Sequence, residues 1–115
     1  MATVARIQFT RDLNAATAAA QPTLTATAGV ALPVGFVADK THLWVVKNCT
    51  ATIGIWAYSS NIGNWARMDS LAFGGTNSEI YYMQGLAGYN RVQTTVDAIG
   101  ASGSLSTYFG FVEGD

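Results

Sequence analysis

A chain of 115 residues is one domain of common size, able to bury roughly two thirds of its unfolded surface without help from disulfides or metal. Half of it is hydrophobic but only 11% is charged, against roughly 25% in an average soluble domain. Six scattered basic residues against seven acids give a net charge of −1, so no basic patch offers itself to phosphates, which disfavours nucleic acid as a partner.

Other classes recede for equally simple reasons. No apolar run approaches the ~20 residues of a spanning helix, so no membrane role is expected. MATVARIQFT has no basic stretch leading into an apolar one, so no secretory signal is expected. Cys49 is the only cysteine, which rules out an intrachain disulfide and suits folding in a reducing cytosol. With so few charges, the surface must be largely Thr, Ser, Asn, Gly and Ala. Such a surface repels neighbours weakly and hints at burial in an assembly.

Taken in order, Thr3 to Phe9 alternates in the manner of a strand, or of an arm that adds to a neighbour's sheet. Arg11, Asp12, Leu13 and Asn14 are expected to end it. Ala15 to Gly35 is a small-residue stretch. Ala15 to Ala20 has the propensity for a turn or two of helix, stopped by Pro22, and Leu24 to Ala28 has the alternation of a short strand. Residues 1–32 thus read as a strand or arm plus an Ala/Thr-rich linker, and 33–115 as the folded domain.

The most informative stretch is LWVVKNCTATIGIWAYS, Leu43 to Ser59. Two β-branched and aromatic runs flank Asn48, Cys49 and Thr50, which predicts an antiparallel hairpin. Ile53, Ile55 and Ala57 share one face of its second strand; Gly54, Trp56 and Tyr58 share the other. SSNIGN follows as a loop. Trp65 to Leu71 alternates Trp65, Arg67, Asp69 and Leu71 on one face. Phe73 to Asn77 is a glycine turn, and Ser78 to Met83 is an aromatic strand. Asn90 to Ile99 and Leu105 to Val112 complete the set. Seven or eight short strands spaced by roughly 8 to 12 residues predict an all-β, antiparallel sandwich of jelly-roll or Greek-key type, with an N-terminal arm.

Catalytic chemistry finds little to stand on. The only histidine, His42, and Cys49 lie at opposite ends of one strand, roughly 20 Å apart at ~3.3 Å per residue, too far for a nucleophile–base pair. The acids are dispersed, which gives no facing carboxylates. One Cys and one His cannot make a zinc site. No catalytic residue, metal or cofactor is therefore expected, and the chain reads as a non-enzyme.

The aromatics carry what remains. Trp56, Tyr58, Trp65 and Arg67 could form a platform on which a sugar ring stacks, with Gly54 leaving room beside it. The same rings more readily fill a core or a subunit interface, where aromatics dominate. Val4, Ile7, Phe9 and Leu13 are the apolar positions through which an N-terminal arm would touch other subunits.

The run WARMDSLAFGGTNSEIYYMQGLAGYNRVQTTV, with the preceding Leu43–Ser59 segment, resembles small β-sandwich proteins of tailed-phage virions, the capsid decoration (cement) and head-fibre or spike modules. The resemblance covers about residues 30 to 112. It lies in small residues, low charge and short aromatic strands, and it transfers no individual functional residue. It implies a structural component displayed on the virion surface after assembly in the host cytoplasm. The implied partners are copies of itself, with a trimer favoured, and the major capsid or another virion protein. The alternative is a carbohydrate-binding module recognising a host-surface glycan.

Overall fold

The computed structural model describes residues 7–37, 40–83, 85–86 and 88–113. Eight strands run in order: β1 (Ile7–Ala16), β2 (Val30–Ala31), β3 (Thr41–Lys47), β4 (Ala51–Ser59), β5 (Asn64–Phe73), β6 (Glu79–Met83), β7 (Arg91–Ile99) and β8 (Leu105–Val112). They make two four-stranded sheets, β1-β8-β3-β6 and β2-β7-β4-β5. All pairings are antiparallel, and they nest: β1 with β8, β2 with β7, β3 with β6, β4 with β5. Rolling this four-pair ribbon brings β3 against β8 and β4 against β7. The result is a jelly-roll sandwich, as the strand spacing predicts.

The core follows from the period of two. Leu43 and Val45 of β3, Leu105 and Phe109 of β8, Ile53 and Ile55 of β4, and Val92 and Val96 of β7 are all essentially inaccessible. These aliphatic rows from the two sheets face each other and exclude water, which is the main stabilising term of such a sandwich.

Several local expectations are corrected. Leu43 to Ser59 is not a hairpin, because β3 and β4 belong to different sheets. A hairpin and a crossover both turn Leu43, Val45, Ile53 and Ile55 toward the core, so alternation cannot separate them. The corner decides. Asn48 Oδ1 accepts from Ser104 N (2.9 Å) and Thr50 O from Gly100 N (2.8 Å). Cys49 is buried there rather than a simple turn residue. A Cβ on Gly103 would stand 2.3 Å from that of Cys49, so only glycine permits the approach.

Ala15 to Ala20 forms no helix. Six alanine-rich residues cannot sustain one alone; β1 claims Ala15 and Ala16, and Ala20 bridges to Val96 instead. Nor do Arg11 to Asn14 end the first strand. β1 continues to Ala16 by bulging: Arg11 faces Tyr108, Leu13 faces Thr107, and Asp12 is the extra residue. Within residues 7–32, β1 and β2 thus supply an edge strand to each sheet.

Candidate interaction faces

The four platform residues do come together, on the outer face of sheet β2-β7-β4-β5. Tyr58 is paired with Trp65 and Trp56 with Arg67. A bulge at Met68 follows, since Ile55 next pairs with Asp69. The bulge reverses the facing of everything beyond it. Asp69 and Leu71 thus turn to the side of Ile55 and Ile53, and do not share a face with Trp65 and Arg67.

This platform is largely occupied by the protein itself. The Arg67 guanidinium lies over the Trp56 ring, 5.1 Å from its centroid, and is held there by both Asp97 oxygens (2.7 and 3.3 Å). That hydrogen bond holds the Asp97 carboxyl below its usual range and raises the Arg67 guanidinium. Gly54 leaves no room for a ligand: a Cβ there would meet Thr95 Oγ1 at 2.4 Å. Trp56 Nε1 donates to that same hydroxyl (3.2 Å). Trp65 is buried, tilted against Tyr58 at 5.3 Å, and donates its Nε1–H to Thr25 O (2.8 Å).

Thr25 belongs to a cover made by the Ala/Thr-rich segment. Ala20 pairs with Val96, and ten residues later Val30 pairs with Val92, only four residues back along β7. The surplus chain between them folds over the sheet. Leu24 to Ala28 is accordingly a loop rather than a strand. Gln93 anchors it through both the N–H and the carbonyl of Thr23 (3.2 and 2.8 Å). Arg91 donates to the carbonyls of Ala28 (2.6 Å) and Thr27 (2.9 Å).

The exposed apolar face lies on the other sheet. Cross-strand pairing sets Phe9, Gly110, His42 and Tyr82 in one row and Arg11, Tyr108, Trp44 and Ile80 in the next, with Val46 beyond. Phe9 lies edge-on to Trp44 (5.4 Å) over Gly110, whose missing side chain makes space for the ring. Phe9, Trp44, Val46 and Tyr108 line a shallow groove of about 260 Å³. Phe9 is 41% exposed, Val46 43%, Ile80 50% and Tyr82 67%, so this sheet face presents several large apolar side chains to solvent. The His42 ring lies 4.5 Å from that of Tyr82, and its Nδ1 is buried without a hydrogen-bond partner among the described residues.

Of the arm residues, Ile7 and Phe9 sit on the exposed half of β1, at the edge of this face. Leu13 packs against the core instead, and Val4 lies outside the described residues. The aromatics of β4 and β5 are thus covered, and the open aromatic face is that of β3 and its neighbours. The available signal was β3 itself, where Trp44 and Val46 alternate with Leu43 and Val45. A strand apolar on both sides has both sides to cover.

The described residues thus build an eight-stranded jelly roll with one self-covered face and one bare apolar face. No protein-family model matches it, and no curated protein matches it in sequence. Among solved structures, the fold is similar to that of the SPBc2 prophage-derived protein YomS, with a TM-score of 0.54 at 13% identity over 98% of both chains.

Proposed function

We propose that this is a bacteriophage virion structural protein, a capsid decoration or surface-spike component that acts through protein–protein contacts. The observation that carries the reading is the bare face of sheet β1-β8-β3-β6. Phe9, Trp44, Val46, Ile80 and Tyr82 are apolar, contiguous and exposed, which is how an unfilled protein interface presents itself. The jelly roll is a fold that capsids use, and the similar fold of a prophage-derived protein supports the setting. In this reading the chain binds copies of itself and a second virion protein, such as the major capsid protein, and performs no catalysis. The carbohydrate reading has less support, because Arg67 and the Thr25 loop already occupy Trp56 and Trp65.

The test is sedimentation of phage particles from cells that express the chain. The protein is expected in the particle fraction. A variant with Trp44→Ser and Tyr82→Ser, folded by circular dichroism, is expected to stay in the supernatant. Absence of the unmodified chain from particles overturns the proposal.

A further inference from the structure

Each sheet ends in two edge strands, and among the described residues three of the four are guarded against pairing with another chain. β2 has only two residues. β6 has five and begins with the charged Glu79. β5 is broken at Met68, with Arg67 and Asp69 on either side. In β1 the guarding is uneven. Its second half is bulged at Asp12 and again between Leu13 and Ala16. Its first half, Ile7 to Arg11, is in unbroken register with β8, carries no proline or bulge, and has one charge, Arg11, at its end. That half is exposed on both faces, Ile7 and Phe9 on the outer side and Gln8 and Thr10 on the inner.

We propose that this half-strand is a self-association site, at which Ile7–Arg11 pairs antiparallel with the same segment of a second copy, in a register centred on Phe9. The segment is self-complementary in that register. Phe9 falls opposite Phe9 of the copy, an aromatic pair with Cβ atoms about 5 Å apart. Gln8 falls opposite Thr10, so the inner face pairs polar with polar. Ile7 falls opposite Arg11, whose apolar stem can cover it. No like charges meet. The two sheets join into one of eight strands, and the bare apolar face continues across the axis. The second copy is favoured over a foreign strand because a two-fold contact needs just such a patch that complements itself. This rests on the reading that the chain binds its own copies, and not on its presence in a particle. It also replaces the expected trimer, which needs a head-to-tail contact, with a closed pair.

Light scattering on the unmodified chain is expected to give twice the 12.1 kDa of one chain. Phe9→Cys should cross-link to its own copy on mild oxidation, whereas Ile80→Cys, similarly exposed on the opposite edge strand, should not. Phe9→Lys and Phe9→Glu should each lose the dimer, and their mixture should regain it. A mass of one or three chains overturns the inference. So does equal cross-linking of Phe9→Cys and Ile80→Cys, or a mixture that stays monomeric. Particle sedimentation does not depend on these outcomes, so the two proposals fail separately.

Discussion

One oxygen of Asp12 on β1 accepts both the amide and the hydroxyl of Thr94 on β7, at 2.6 and 2.5 Å, and so ties the two sheets together at their shared border. The chain of donors extends further. Leu13 N donates to Thr107 Oγ1 (3.1 Å), which lies 2.7 Å from Thr94 Oγ1. Asp12 points inward in step with Gln8 and Thr10, and the bulge turns Leu13 inward beside it. Asp12→Ala strands the buried Thr94 amide without an acceptor, and is expected to cost about 1–3 kcal/mol in urea denaturation. Asp12→Asn keeps an acceptor and should cost less.

Acid titration separates two aspartates of opposite sign. Burial raises the Asp12 carboxyl above its ordinary 3.8, with the Thr94 hydrogen bonds opposing. The folded state then holds the proton more tightly than the unfolded state. Asp12 therefore costs stability as pH rises from 3.8 through its folded pKa, and acidification through that window restores it. Asp97, lowered chiefly by Arg67, does the reverse: its contribution is present above 3.8 and lost as pH falls through its folded value. Denaturation midpoints measured through the acid range should show both. Asp12→Asn should abolish the gain on acidification, and Asp97→Asn the loss at lower pH.

Gly54→Ala tests whether the β4 aromatic face is closed. The new methyl would displace Thr95 Oγ1, which accepts from Trp56 Nε1 and donates to Asp97 Oδ1 (3.1 Å). The expected loss is about 1–3 kcal/mol from overpacking and broken bonds, with a change in tryptophan fluorescence. An unchanged stability would mean that the pocket beside Trp56 is open after all.

These corrections show what a single sequence can encode. Alternation fixed the inward rows, Leu43 with Val45 and Ile53 with Ile55, and with them the sandwich. It could not place β3 and β4 in different sheets, because both arrangements bury the same rows. Bulges at Asp12 and Met68 were equally invisible. Each inserts one residue and reverses the facing of all that follows, yet neither Asp nor Met marks a bulge. The cover over Trp65 was hidden for another reason. It is held by Gln93 and Arg91 through backbone carbonyls, contacts between residues 63 and 70 apart that no local pattern records.

The cover should open when its central anchor is cut. Gln93 is buried and exchanges two hydrogen bonds with Thr23. Gln93→Leu leaves the Thr23 amide and carbonyl to water. Amide exchange is then expected to accelerate across residues 21–29 while the β4 and β7 amides stay protected, and Trp65 fluorescence should shift to the red as its indole meets solvent. Global stability should fall by about 1–2 kcal/mol, since two neutral hydrogen bonds are lost.

Lys47 offers the sharpest contrast between two partners of one ion pair. Its side chain is wholly buried at the end of β3, 3.4 Å from Glu79 Oε2, donating to Gly75 O and 5.6 Å from the Phe73 ring centroid. Glu79 is 42% exposed; its Oε2 is buried without a hydrogen-bond partner among the described residues, and water can serve the carboxylate only through the rest of its surface if the lysine goes. The ammonium has no such recourse. Lys47→Met keeps the apolar stem and removes a buried charge, and it is expected to be neutral or to stabilise by about 1 kcal/mol or more. Glu79→Ala leaves the ammonium with little beyond the Gly75 carbonyl and should destabilise by about 1–3 kcal/mol. Lys47→Met with Glu79→Ala should recover most of that loss. If instead Lys47→Met proves the more damaging single change, the lysine is holding the 73–77 turn through Gly75 rather than serving as a tolerated charge.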